Sequence, residues 1–261
     1  TPDTALVALH TPKGIILYAN DFKLDDTPVL GKKPNYERLK ELGESGKVKA
    51  IFVDALYSRH DRKTPSEKVA KEMLKEVLFT TENSNNAIFV SCFASHIARL
   101  TSLAEFGEKL GRRVVFLGRS MYKYVAAAEK LGITSFKGVD IIAYKNKIER
   151  YLHKIHNKGA QKYLVVATGG QGEKNSVLSK ILRGDLHFKF KKDDAVIFSN
   201  RIIPVEPNIT NRAEIERKFK EKGVRIFSDV HVSGHGAIED MRELIKLVNP
   251  EHVIPSHGNL S

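Results

Sequence analysis

From residue 50 onward the chain alternates short apolar runs with amphipathic segments, and this alternation constrains its fold more than any other feature. The runs at 50–54, 87–91, 114–117, 163–167, 195–199, 224–227 and 253–254 read as strands. Between them, 67–78, 97–110, 121–131, 175–182, 213–222 and 238–248 carry apolar residues at helical spacing. Ser66 after Pro65, and Asn211 three residues before Glu214, read as helix starts. Such alternation predicts an α/β protein with largely parallel sheets. Ahead of it, Thr11-Pro12-Lys13-Gly14 separates two apolar runs, 5–9 and 15–18, which predicts a hairpin at the beginning of the chain.

Composition narrows the class. With 41% hydrophobic and 28% charged residues over 261 positions, the chain has enough apolar material for a substantial core. No apolar run approaches the roughly 18 residues of a membrane span, and nothing at the N-terminus reads as a signal peptide. The single cysteine, Cys92, excludes an intrachain disulfide framework and a thiolate zinc cluster, and it fits a reducing, cytoplasmic setting. Forty-three Lys and Arg against 31 Asp and Glu give a net charge of +12. That excess favours polyanionic partners, nucleic acid first; the Lys-rich composition of a heat-adapted protein produces the same sign.

Several loops hold chemistry-bearing residues. His231-Val232-Ser233-Gly234-His235-Gly236 lies between a strand and a helix, where free backbone N–H groups favour an anion and an imidazole can add a proton. The same histidines can simply solvate a polar loop. His257, 22 residues after His235 and just past a strand, is placed to meet metal or substrate, since α/β sites gather at strand C-termini. Asp21 follows a strand, as a metal ligand or a turn former, and Asp54 ends one, where it either points into a cleft or starts the turn. Ser95 sits near a helix start. The loop Gly169-Gly170-Gln171-Gly172-Glu173 lacks the spacing of either the dinucleotide fingerprint or the P-loop. Lys and Arg spread through 112–154 read either as a nucleic-acid groove or as solvated helix faces.

Taken jointly, these pieces are more specific than any one alone. Thr-Pro-Lys-Gly, Asn-Asp-Phe-Lys, a strand ending in Asp54, Phe-Ala-Ser, Gly-Gly-Gln-Gly-Glu, His-Val-Ser-Gly-His and Pro-Ser-His-Gly occur in one order. That order resembles the metallo-β-lactamase nucleases of the β-CASP group, most closely the RNase J branch in its archaeal form, from about residue 2 to 258. The resemblance implies an α/β fold: a partial metallo-β-lactamase αββα sandwich from 1–57 and 209–261, with a Rossmann-like β-CASP domain inserted over 58–208. It also implies two zinc ions, with Asp21 and His257 as metal ligands. Asp54 and His235 take the catalytic positions, Asp54 orienting the histidine. Ser95, His231, Ser233 and Gly234 match the positions that hold a substrate phosphate.

The chain departs from the family's pattern in a small way at Asn20, where Gly is common before the Asp21 position, and in a larger way in its metal ligands. It contains no His-x-His-x-Asp-His, and the family's lone ligand histidine belongs immediately before Thr1, so most zinc ligands are expected upstream of residue 1. The resemblance therefore implies a zinc-dependent ribonuclease, a 5′→3′ exonuclease with room for endonucleolytic cuts, acting on single-stranded and 5′-monophosphorylated RNA. It is compatible with a homodimer. The 261 residues by themselves are expected to bind RNA without hydrolysing it. Two other readings compete: a DNA-processing β-CASP nuclease and an inactive nucleic-acid-binding module.

Overall fold

The computed structural model describes residues 4–82 and 84–258. Thr1, Pro2 and Asp3, which the sequence places ahead of the first strand, lie outside that range, as do Asn83 and residues 259–261. The chain divides into two compact units, one reaching to Val69 and resuming at Val232, the other running from Ala70 to His231.

The first unit opens with a hairpin, β1 (Val7–Thr11) and β2 (Gly14–Ala19), paired antiparallel so that Thr11 faces Gly14. Gly14 is required at the turn: its φ is +134°, and a Cβ there would lie 2.7 Å from the Lys47 carbonyl. Helix α1 (Tyr36–Glu44) follows, capped by the Asn35 side chain, which accepts from the Arg38 amide. Strand β3 (Val48–Asp54) then lies parallel between β2 and the last strand, β10 (His252–Ser256), giving the order β1-β2-β3-β10. Alternation along β2 and β3 sends Ile15, Leu17, Ala19, Ile51 and Val53 to one face, where they pack with Leu39 and Leu42 of α1. Met241, Leu244 and Val248 of α8 (Ile238–Val248) complete that cluster. Burying each of these larger side chains contributes about 1.5–3 kcal/mol.

Helix α2 (Glu67–Thr80) starts in the last residues before the boundary, and the second unit continues with β4 (Ile88–Ser91), α3 (Ile97–Lys109), β5 (Arg113–Leu117) and α4 (Arg119–Lys130). Then follow β6 (Asp140–Ile142), α5 (Lys145–Lys158), β7 (Tyr163–Ala167), α6 (Val177–Arg183), β8 (Ala195–Phe198), α7 (Asn208–Glu221) and β9 (Arg225–Phe227). The six strands form one wholly parallel sheet, ordered β6-β5-β7-β4-β8-β9. Strands β4, β7 and β8 are buried along their whole length, as continuous apolar runs covered on both faces must be. The Gly-rich loop after β7 is a structural clamp. Gln171 donates to the Arg201 carbonyl at 2.7 Å and accepts from the Ile203 amide at 2.8 Å. Arg212 of α7 donates to the Gly170 carbonyl at 2.6 Å while its guanidinium lies 3.3 Å from the centre of the Phe198 ring.

The unit boundaries differ from those the sequence suggests. They fall at 69/70 and 231/232 rather than 57/58 and 208/209. The reason is strand pairing: β9 extends the six-stranded sheet beside β8, and α7 buries Ile215 and Phe219 in that sheet's core. Residues 209–231 thus belong with the inserted unit. Asn211 is not a helix start either; α7 already begins at Asn208, directly after Pro207.

Candidate metal and catalytic centre

The parallel register of β2, β3 and β10 decides which side chains meet. Ala19 pairs with Val53 and Ser256 with Asp54, so three strands end side by side. Asp21 follows β2 by two residues, Asp54 ends β3, and His257 follows β10 directly. The fourth member, His235, comes from the loop before α8, which is held by a parallel bridge between Tyr57 and Ala237. One potential ligand atom from each of Asp21, Asp54, His235 and His257 lies within 4.8 Å of the others. Side chains up to 236 positions apart in sequence therefore form one cluster.

Within it, Asp54 is fully buried and His235 Nδ1 lies 2.6 Å from its Oδ2. The other oxygen, Oδ1, accepts the Leu56 amide at 3.0 Å and is 3.5 Å from His257 Nδ1. His257 Nδ1 is also 3.3 Å from Asp21 Oδ1. Proximity to a buried carboxylate places the His235 proton on Nδ1 and leaves Nε2 on the far side of the ring. The same hydrogen bond, helped by the charges of Asp54 and Asp21 and opposed by burial, raises the His235 pKa above the ordinary imidazole value. Asp21 and His257 both have left-handed backbone, with φ of +50° and +57°. Such conformations are uncommon for non-glycine residues and concentrate at functional sites, where the surrounding structure imposes them.

Two buried groups hold these loops. Asp240, fully buried in the first turn of α8, accepts from the backbone amides of Leu24 (3.3 Å), Thr64 (2.8 Å) and Ala237 (3.1 Å). It thereby joins the segment after Asp21, the segment after Asp54 and the start of the helix behind His235. Lys23 donates to the Ser233 carbonyl at 3.1 Å, and burial lowers its pKa against the pull of Asp25, Glu67 and Asp240. Thr64 Oγ1 adds a bond to the His235 carbonyl at 2.9 Å, and the Gly236 amide donates to the Phe22 carbonyl at 2.7 Å. Sequence reasoning assigned no role to Asp240 or Lys23. The only signal was an acid five residues after His235, which looks like any acid in a helix's first turn.

The four phosphate positions divide between the units. Ser233 and Gly234 share the first unit with the cluster; the Ser233 hydroxyl accepts the His235 amide at 2.9 Å, and Gly234 is exposed. His231 and Ser95 belong to the second unit, Ser95 just ahead of α3.

As a donor set, two imidazoles and two carboxylates at this separation suit zinc, which takes nitrogen and oxygen ligands at about 2.0–2.2 Å. No helix among the described residues is long and apolar enough to cross a membrane.

Comparison with known proteins agrees with this architecture. Residues 85–217 match the family described as ribonuclease J, β-CASP domain, and residues 223–260 match the Zn-dependent metallo-hydrolase RNA specificity domain. The chain is 42% identical over its whole length to a ribonuclease J of Methanocaldococcus jannaschii, covering 58% of that protein. It is 38% identical over 257 residues to the ribonuclease J of Pyrococcus abyssi, covering 98% of this chain and 56% of the relative. A ribonuclease J of Thermus thermophilus is 32% identical over 263 residues, with 99% of this chain and 44% of the relative covered. The chain thus spans a little over half the length of the two archaeal relatives.

Proposed function

This chain belongs to the ribonuclease J β-CASP family, and we propose that it forms part of a zinc-dependent ribonuclease that hydrolyses RNA phosphodiesters. The observation that carries the proposal is the convergence of Asp21, Asp54, His235 and His257 at the ends of three parallel strands. Asp21 and His257 would hold metal, two zinc ions in the whole site. Bound there, zinc supplies Lewis-acid activation of water and neutralisation of the scissile phosphate.

The chain's own residues do the rest. Asp54 fixes the His235 ring through Nδ1 and stabilises its protonated form. His235 Nε2 then gives its proton to the leaving 3′ oxygen as the P–O bond breaks and water adds to phosphorus, the water's proton passing to solvent, from which the imidazole is reprotonated, leaving a 5′-phosphate and a 3′-hydroxyl. The Ser233 hydroxyl, already accepting the His235 amide, has its proton available for a phosphate oxygen. Ser95 and His231 take the same role on the family resemblance alone. A closed pocket for the 5′-terminal phosphate, implied by the family resemblance, would make the enzyme a 5′→3′ exonuclease preferring 5′-monophosphorylated single strands, and the +12 charge favours the polyanion.

The test uses labelled RNA and DNA of matched length. The 261-residue chain is expected to bind single-stranded RNA without cleaving it, because no His-x-His-x-Asp-His lies within it. Joined to a family segment carrying that motif, it should cleave RNA in a chelator-sensitive way. His235→Ala should abolish cleavage and retain binding. Preferential cleavage of DNA would move the reading to a DNA-processing nuclease. An inert joined protein would favour a binding module.

A further inference from the structure

The second unit presents an aromatic and basic rim at one edge of its sheet, made of residues to which no role has been given above. Strands β5 and β6 are parallel, with Leu117 opposite Ile142 and the Gly118 amide bonded to the Ile142 carbonyl at 2.9 Å. Helix α4 begins at Arg119 and helix α5 at Lys145, so both leave from the same, C-terminal edge of neighbouring strands. Strand neighbours are about 4.8 Å apart, which makes the two helix starts adjacent.

Neither α4 nor α5 has an acid in its first turn, a feature they share with α3, α6 and α7. Arg119, Lys123, Lys145 and Lys147 occupy the first turns and the position just beyond, and no acid occurs from 118 to 128 or from 141 to 148. None of these four cations forms an ion pair among the described residues. Other surface cations do form ion pairs, among them Lys63 with Glu243, Arg113 with Asp140 and Arg183 with Asp185. Large aromatic rings stand among the unpaired charges: Tyr122 and Tyr124 are each 49% exposed and Tyr144 is 60% exposed. Three tyrosines left in water gain nothing by burial within this unit, whereas an unstacked base offers each a face.

We infer that the rim formed by Arg119, Tyr122, Lys123, Tyr144, Lys145 and Lys147 binds single-stranded RNA, the cations following phosphates and the tyrosines stacking bases. The inference rests on the reading of the protein as one that acts on RNA and adds a second contact surface to it. Cations and exposed aromatic rings interleaved on one surface are what sequence-tolerant single-strand binding uses. An acidic peptide would satisfy the charges and leave the rings without partners.

The test is fluorescence anisotropy of labelled single-stranded RNA against the 261-residue chain over a salt series, with thermal melts confirming that each variant folds. Tyr144→Ala should weaken binding about fivefold or more, and Tyr144→Phe, which keeps the ring, should restore it. The pair Lys123→Glu and Lys145→Glu should weaken binding about tenfold or more at low salt, and should flatten the slope of log affinity against log salt by about 0.7 per lost phosphate contact. Lys220→Glu with Lys222→Glu, at the opposite edge of the same sheet, should have far less effect. Binding by the unsubstituted chain that ignores the rim variants would overturn the rim and leave the RNA reading standing. Failure of that chain to bind RNA would overturn both. Loss of binding with charge reversal but not with Tyr144→Ala, together with equal competition by polyglutamate, would assign the face to an acidic protein.

Discussion

Asp240→Ala is expected to loosen the candidate centre without touching any of its four clustered side chains. Asp240 accepts three backbone amides, those of Leu24, Thr64 and Ala237, and all three residues are buried. Hydrogen bonds to a charged group are worth about 1.5–3 kcal/mol each, and a buried donor left unmade costs about 1–3 kcal/mol. The Leu24 contact is long at 3.3 Å and water can reach part of the space left by the side chain, so the sum is discounted to about 4 kcal/mol. Asp240→Asn keeps one acceptor oxygen and should lose about half as much. Stability is about 5–15 kcal/mol for a domain, so the alanine variant of the first unit should be close to its limit. Urea unfolding gives the free energies, and hydrogen exchange gives the site: protection at Leu24, Thr64 and Ala237 should fall more than in the core of β3. A loss below about 1 kcal/mol with those amides still protected would refute the reasoning.

Three further outcomes follow from the contacts. In metal-free protein, Asp54→Asn should lower the His235 pKa, because it removes the hydrogen bond and charge that raise it; an NMR titration of the imidazole resonances checks this. The Asp140 carboxyl is held below its ordinary range by Arg113 and Tyr151, so its contribution to stability is present above the unfolded pKa near 4 and is lost as pH falls through the folded value. Asp140→Asn should therefore lower the urea midpoint at pH 7, with the difference closing below about pH 4. Arg212→Met should destabilise the second unit by about 3 kcal/mol, since it removes the contact with Phe198 and leaves the Gly170 carbonyl without its donor. Arg212→Lys should recover little of that, the planar guanidinium being what both contacts use.

Legibility in the sequence followed burial. Strands β4, β5, β7 and β8 are dense apolar runs, and their places could be read within a residue or so. Helix α8 could be read from Ile238 to Val248 because its buried residues Met241, Leu244 and Val248 recur at helical spacing. Strand β6 escaped notice because three residues, half-exposed at the end of the sheet, carry almost no pattern. Helix α5 was hidden by its charge, although Ile148, Leu152 and Ile155 form a buried stripe at helical spacing. For the centre, single residues such as Asp21 or His257 were ambiguous alone, and their ordered motifs pointed to one site. What holds the site was not legible. Asp240 is tied to Leu24 and Thr64 across 216 and 176 positions, and contacts of that span leave no local pattern.

The central claim is that Asp21, Asp54, His235 and His257 form one metal-binding, RNA-processing centre, and anomalous X-ray scattering tests it most directly. Crystals of the chain joined to a family segment carrying His-x-His-x-Asp-His would be grown with zinc and a short 5′-phosphorylated RNA, using His235→Ala to prevent cleavage. Scattering peaks beside the Asp21 and His257 side chains, with a phosphate next to the vacated imidazole position, are the predicted result. Zinc bound elsewhere, for example among the neighbouring rings of His153, His156 and His187, with the Asp21–His257 cluster lacking a peak, would contradict it.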